Sequence, residues 1–112
     1  MKIKTSELTG AALDWAVTCA NYEINIDCVW SNFRRECEYS TDWAQGGPII
    51  EREMIELVPQ SPALWEAMYR NQHIPHDGPT PLIAAMRCYV ASKLGDEVEV
   101  PDELTMLEGV SK

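Results

Sequence analysis

GPTPLIAAMRCYVASKLG, residues 78–95, settles the class of fold, because both ends of a helix are written into it. Thr80 can cap the start through its hydroxyl, and Pro81 suits a first helical position that needs no amide donor. Gly95 supplies the left-handed residue that ends it. Leu82, Ile83, Met86, Tyr89, Val90 and Leu94 recur at helical spacing, while Ala84, Ala85 and Ala91 thin one flank for close approach of a sheet or second helix. Such a stripe requires a core to cover it.

Outward from this helix, Val98 and Val100 alternate with Glu97 and Glu99 in a short final strand closed by Pro101. The acidic tail from Asp102 is expected to fray. On the other side, Asn71–Gly78 reads as loop, and Ala63–Arg70 as two helical turns with Leu64, Trp65 and Met68 on one face. Met54–Val58 reads as a strand that Pro59 and Pro62 break. Thr41–Glu53, TDWAQGGPIIERE, reads as a shaped loop around Gly46, Gly47 and Pro48, followed by a charged run. Ser31–Ser40 suggests a hairpin returning through Phe33, Cys37 and Tyr39, and Tyr22–Trp30 alternates like a half-buried strand. Leu13, Ala16, Val17 and Ala20 mark a first helix over Thr9–Asn21, with Trp15 beside that face. Met1–Leu8 is an edge strand with a basic outer side.

The expectation is a single α+β domain over 1–101, a small and mainly antiparallel sheet covered by two principal helices, with 102–112 as tail. The 112 residues carry 18 acids against 9 bases, a net charge of −9. The first 35 residues balance, four against four, whereas Glu36–Gln72 has two bases and seven acids and His73–Lys112 three and seven. A field of that sign repels nucleic acid and anionic lipid, so direct binding to either is not expected. It is compatible with plain solubility, or with imitation of nucleic-acid charge against a host protein. With no apolar run near 18 residues and no basic, apolar leader, a cytoplasmic protein is expected. Cys19, Cys28, Cys37 and Cys88 form no CxxC pair or zinc spacing, and Cys19 and Cys88 read as small core residues.

TDWAQGGPIIERE at 41–53, GPTPLIAAMRCYVASKLGDEVEVP at 78–101 and the opening MKIKTSELTGAALDWAV together resemble the NinX family of small phage proteins. The resemblance implies an accessory protein of tailed, lambda-like phages, made in the cytoplasm of an infected bacterium. It carries over no catalytic residue and leaves Tyr22–Ser40 and Met54–Asp77 uncovered.

No motif for nucleophilic catalysis, a phosphate-binding loop or a dinucleotide fold is present, and no cofactor is implied, so a non-enzymatic role is expected. His73, His76 and Asp77 form an H-x-x-H-D cluster, but Pro75 interrupts it and no third ligand is placed by spacing, so an ordinary polar loop outweighs a metal site. Trp43 stands apart. In a loop it can stack on a planar ring while Asp42, Gln45, Gly46 and Gly47 approach the ring's edge; folded back, it would lid the core. Arg52 and Arg87 could compensate a phosphate, or simply be solvated or salt-bridged. His76 and Thr80 lie at a helix start that favours an anion. Two functions follow: sequestration of a small nucleotide-type signal of host defence between the Trp43 loop and the Thr80 helix start, or acidic inhibition or modulation of a host nuclease or transcription component. Short edge strands further suggest a homodimer or larger assembly.

Overall fold

A computed structural model describes residues 1–22, 37–70, 72 and 74–102. The chain is α+β. Strand β1 (Lys2–Lys4) and a 3-10 turn (Thr5–Glu7) lead into α1 (Gly10–Tyr22). Helix α2 (Trp43–Glu53), strands β2 (Ile55–Ser61), β3 (Leu64–Tyr69) and β4 (His76–Gly78), helix α3 (Pro81–Leu94) and strand β5 (Glu97–Glu99) follow.

Helix α3 forms for the reasons its sequence gives. The Thr80 hydroxyl accepts the Ile83 amide at 3.1 Å, Pro81 occupies the first turn, and Gly95 ends the helix at φ +91°, a backbone region that side chains avoid. It touches α1, α2, all three strands of the larger sheet, the 3-10 turn and β5. Met86, Tyr89 and Val90 are buried against Leu8, Leu13, Trp15 and Val17, and each such aliphatic side chain contributes roughly 1.5–3 kcal/mol by leaving water. Burial pushes the thiols of Cys19 and Cys88 up to about 11, so both stay protonated as packing groups.

The strands form two antiparallel sheets rather than one. In the smaller, β1 meets β5 with Lys2 opposite Glu99, Ile3 opposite Val98 and Lys4 opposite Glu97, so the apolar pair faces the core between two rungs of opposite charge. In the larger, the order is β2-β3-β4, with one face packed on α3.

Several local expectations are corrected. The Gly-Gly-Pro segment is helix α2, held by Asp42 at its start and by Met54 in the left-handed conformation at its end. Ala63–Arg70 is strand β3: Leu64 and Met68 are four residues apart, a spacing shared by one helix turn and by two pleats, and pairing with β2 selects the pleat. Strand β2 continues through Pro59, which an edge strand tolerates, with a register shift before Ser61. His76–Gly78 is strand rather than loop, since pairing with the central β3 overrides a poor intrinsic preference. Cys37–Ser40, expected in a hairpin strand, runs as coil and turn; Tyr22, expected to open the alternating strand of 22–30, is the last residue of α1, and the rest of that segment lies outside the described residues, as do 31–36, Asn71, His73 and 103–112.

Candidate functional site

Helix α2 begins with an internally satisfied cap. Asp42 Oδ1 accepts the Ala44 amide at 2.9 Å, Asp42 Oδ2 accepts from Gln45 Nε2 at 3.3 Å, and Gln45 Oε1 accepts the Glu38 amide at 2.8 Å. Asp42 and Gln45 therefore build the helix start. Gly46 is buried because the helix lies hard against its neighbours: a Cβ there would stand 2.5 Å from the Tyr39 carbonyl and 2.7 Å from Leu82 Cδ1. Trp43, at the first helical position, neither closes the core nor sits in a loop; it is 53% exposed.

At 100° per residue, Trp43, Ala44, Gly47, Pro48 and Glu51 share one side of α2, opposite Gly46 and Ile49. Ala44, Pro48 and Glu51 are exposed and Gly47 is half-buried.

Helices α2 and α3 run in the same direction, since Gly46 meets Leu82 and, further along both, Arg52 meets Tyr89. The starts of the two helices are therefore neighbours, and Thr80 lies at the same end of the pair as Asp42 and Trp43. Arg52 does not. Nine residues on, it is about 14 Å along the axis, where Nη2 donates to Tyr89 Oη at 3.0 Å and Asn21 Oδ1 at 3.3 Å, and Nε to Glu53 at 3.1 Å. Its guanidinium also lies 5.6 Å from the centroid of the Tyr89 ring, so Arg52 ties α1, α2 and α3 together.

His76 and Arg87 belong elsewhere again. Arg87 is five residues from Leu82, about 140° round α3, and so faces away from α2. Its Nε donates to the Leu8 carbonyl at 2.7 Å and its Nη1 to the Asp77 carbonyl at 2.9 Å. His76 is half-buried in the wall of a cleft of about 550 Å³ that Lys4, Thr5, Ser6 and Asp96 also line. Burial holds its imidazole below the ordinary histidine range, with Asp96 and Asp77 opposing that shift.

The nine residues singled out from sequence thus fall into three places: six at the paired helix starts, Arg52 at the far end of α2, and His76 with Arg87 across α3. Lys4, Ser6 and Asp96 were missed because they join His76 only through the pairing of β1 with β5, a contact between opposite ends of the chain. Among the described residues no group of three or more His, Cys, Asp or Glu side chains could hold a metal ion.

Residues 4–93 match the family model described as bacteriophage P22 NinX. The chain belongs to the NinX family. That match runs from β1 to the last turn of α3 and takes in the segments at 22–40 and 54–77 that the resemblance of short stretches leaves uncovered. No curated protein sequence matches the chain. As a NinX-family member it is a phage accessory protein, and among its described residues no helix is long and apolar enough to cross a membrane.

Proposed function

We propose that this NinX-family protein is a non-catalytic binding module that docks a basic host protein, such as a nuclease or transcription component, on the α2 side centred on Trp43. The exposed indole carries the reading. A Trp held on the first turn of a helix with half its surface in water is not required by the core, and exposed aromatics of this kind serve as anchors at protein interfaces. Around it, Ala44, Gly47 and Pro48 offer a low apolar floor, while the exposed Glu38 and Glu51 supply an acidic rim. An apolar centre ringed by charge is the ordinary anatomy of a protein interface, and the net charge of −9 selects for a basic partner.

A second reading keeps the same indole. The neighbouring starts of α2 and α3 favour capture of a small nucleotide-like ligand stacked on Trp43, but Asp42, Gln45 and Thr80 already spend their acceptors on Ala44, Glu38 and Ile83. That weighs toward the protein partner.

Trp43→Ala separates structure from recognition. Tagged protein isolated from phage-infected cells should bring down a partner whose affinity falls steeply between about 50 and 500 mM salt. Trp43→Ala should weaken that complex by about tenfold or more while leaving the melting temperature unchanged. A releasable nucleotide in the mass spectrum of the wild-type protein, lost in the variant, would move the conclusion to the second reading. Equal recovery of the partner by both proteins would overturn the first.

A further inference from the structure

The cleft beside His76 is lined by charges of both signs that do not meet. Lys4, Asp96 and Glu97 line the larger part, of about 550 Å³. Glu66, Asp77 and Arg87 line a smaller adjoining part of about 190 Å³, and Ser6 and His76 stand in the walls of both. Among the described residues no ion pair joins any of these side chains; the ion pairs formed are those of Met1 with Glu99 and Asp102, and of Arg52 with Glu53. Lys4, Asp77, Asp96 and Glu97 are exposed, so water solvates these charges across the gap, and a guest would exchange that water for paired groups.

Arg87 makes the point most sharply. Its half-buried guanidinium rests on two backbone carbonyls, of Leu8 and Asp77, and the Asp77 carboxylate lies near enough to favour its charge without forming an ion pair with it. Burial nonetheless makes its charge harder to keep. Nη2 remains to receive a carboxylate, the group whose planar geometry a guanidinium matches. Lys4 and Glu97 are register partners on β1 and β5 and offset one another. What remains is one cation, Arg87, against three acids, Glu66, Asp77 and Asp96. A guest complementary to that set carries one carboxylate and more than one positive charge.

We propose that the cleft binds a cationic α-amino acid, free or as the C-terminal residue of a peptide, with its carboxylate on Arg87 and its positive groups toward Asp96, Asp77 and Glu66. Ser6, common to both parts, supplies a hydroxyl midway, and Ala91 and Pro75 give the aliphatic stem apolar wall. The larger part is of a size that takes a guest of about a dozen non-hydrogen atoms. This site lies across α3 from Trp43 and is independent of the protein-docking reading.

The test is isothermal titration calorimetry of the full chain with L-arginine, L-lysine, agmatine, L-glutamate and a glycyl-glycyl-arginine peptide. L-Arginine or L-lysine should bind, agmatine, which lacks the carboxylate, about tenfold more weakly, and L-glutamate not at all. The peptide, compared with L-arginine, distinguishes a peptide end from a free amino acid. Because Arg87 also ties down Leu8, its replacement could unfold the chain; Asp96→Asn, at an exposed position whose backbone contact is kept, should instead weaken L-arginine by about fivefold at unchanged melting temperature. Trp43→Ala should bind like wild type. Equal affinity for arginine and agmatine, no heat with any of the cationic amino acids up to about 10 mM, or an Asp96→Asn protein that binds normally would each overturn the proposal.

Discussion

Gly46 and Gly47 are neighbours in sequence with opposite roles. At Gly46 the atom in the way of a methyl group is the backbone carbonyl of Tyr39, 2.5 Å from where Cβ would stand, and backbone cannot swing aside as a side chain can. Gly46→Ala should therefore cost about 2 kcal/mol or more in urea unfolding. At Gly47 the nearest atom is Trp43 Cε3 at 3.8 Å, ordinary contact, so Gly47→Ala should stabilise by about 0.5–1 kcal/mol through its better helix propensity. Equal effects of the two substitutions would mean that α2 does not pack on Leu82 as described. Sequence shows two glycines and suggests a turn; only the neighbouring helix reveals that one of them is a contact surface.

Helix α2 is poorly written and held from outside. Two glycines and a proline cost an isolated helix about 5 kcal/mol relative to alanines, and what keeps it is the Asp42 cap, buried Ile49 and the packing on α3. Its end is a further weak point, because Met54, an exposed non-glycine residue, takes φ +58°. Met54→Gly should raise stability by about 1 kcal/mol, seen as a higher urea midpoint at unchanged slope; a loss would show that the Met54 side chain contributes packing the exposure does not reveal. These particulars explain what sequence could carry. Helices α1 and α3 were legible because periodicity and end signals agree, and β5 because Val98 alternates with acids. Helix α2 was not, since tertiary contact there opposes local preference. Strand β3 was ambiguous in kind, as a four-residue spacing serves both structures, and β4 is too short to leave a pattern.

For the molecule as a whole, acidity is the property that composition declares and pH will expose. The depressed titration of His76, caused first by burial, means that the folded chain binds fewer protons than the unfolded one from the ordinary value of 6.5 downward. The associated stability is whole above that value and is lost as the pH falls toward the folded pKa. His76→Gln should therefore flatten the decline of melting temperature between about pH 7 and 5; an unchanged slope would show that His76 does not set it. The candidate sites were only half legible at this scale. Trp43 and its neighbours are contiguous and could be seen in the sequence, whereas the cleft assembles residues 4 to 97 and exists only once the two ends of the fold have met. That meeting has a mechanical side. At the open end of the β1–β5 ribbon the outermost tie joins Met1 to Val100, whose amide donates to the Met1 carbonyl at 2.8 Å, ahead of the rung of Lys2 with Glu99, and both strands leave it on the same side. Tension applied beyond Met1 and beyond Val100 loads the rungs singly, so the ribbon peels like a zip instead of resisting in shear. The bond from Trp15 Nε1 to the Glu99 carbonyl lets go with the same strand, which leaves the ties of Thr5 to Gly95 and Asp96 at the inner end. An unfolding motor that grips either end would draw this protein apart from its seam.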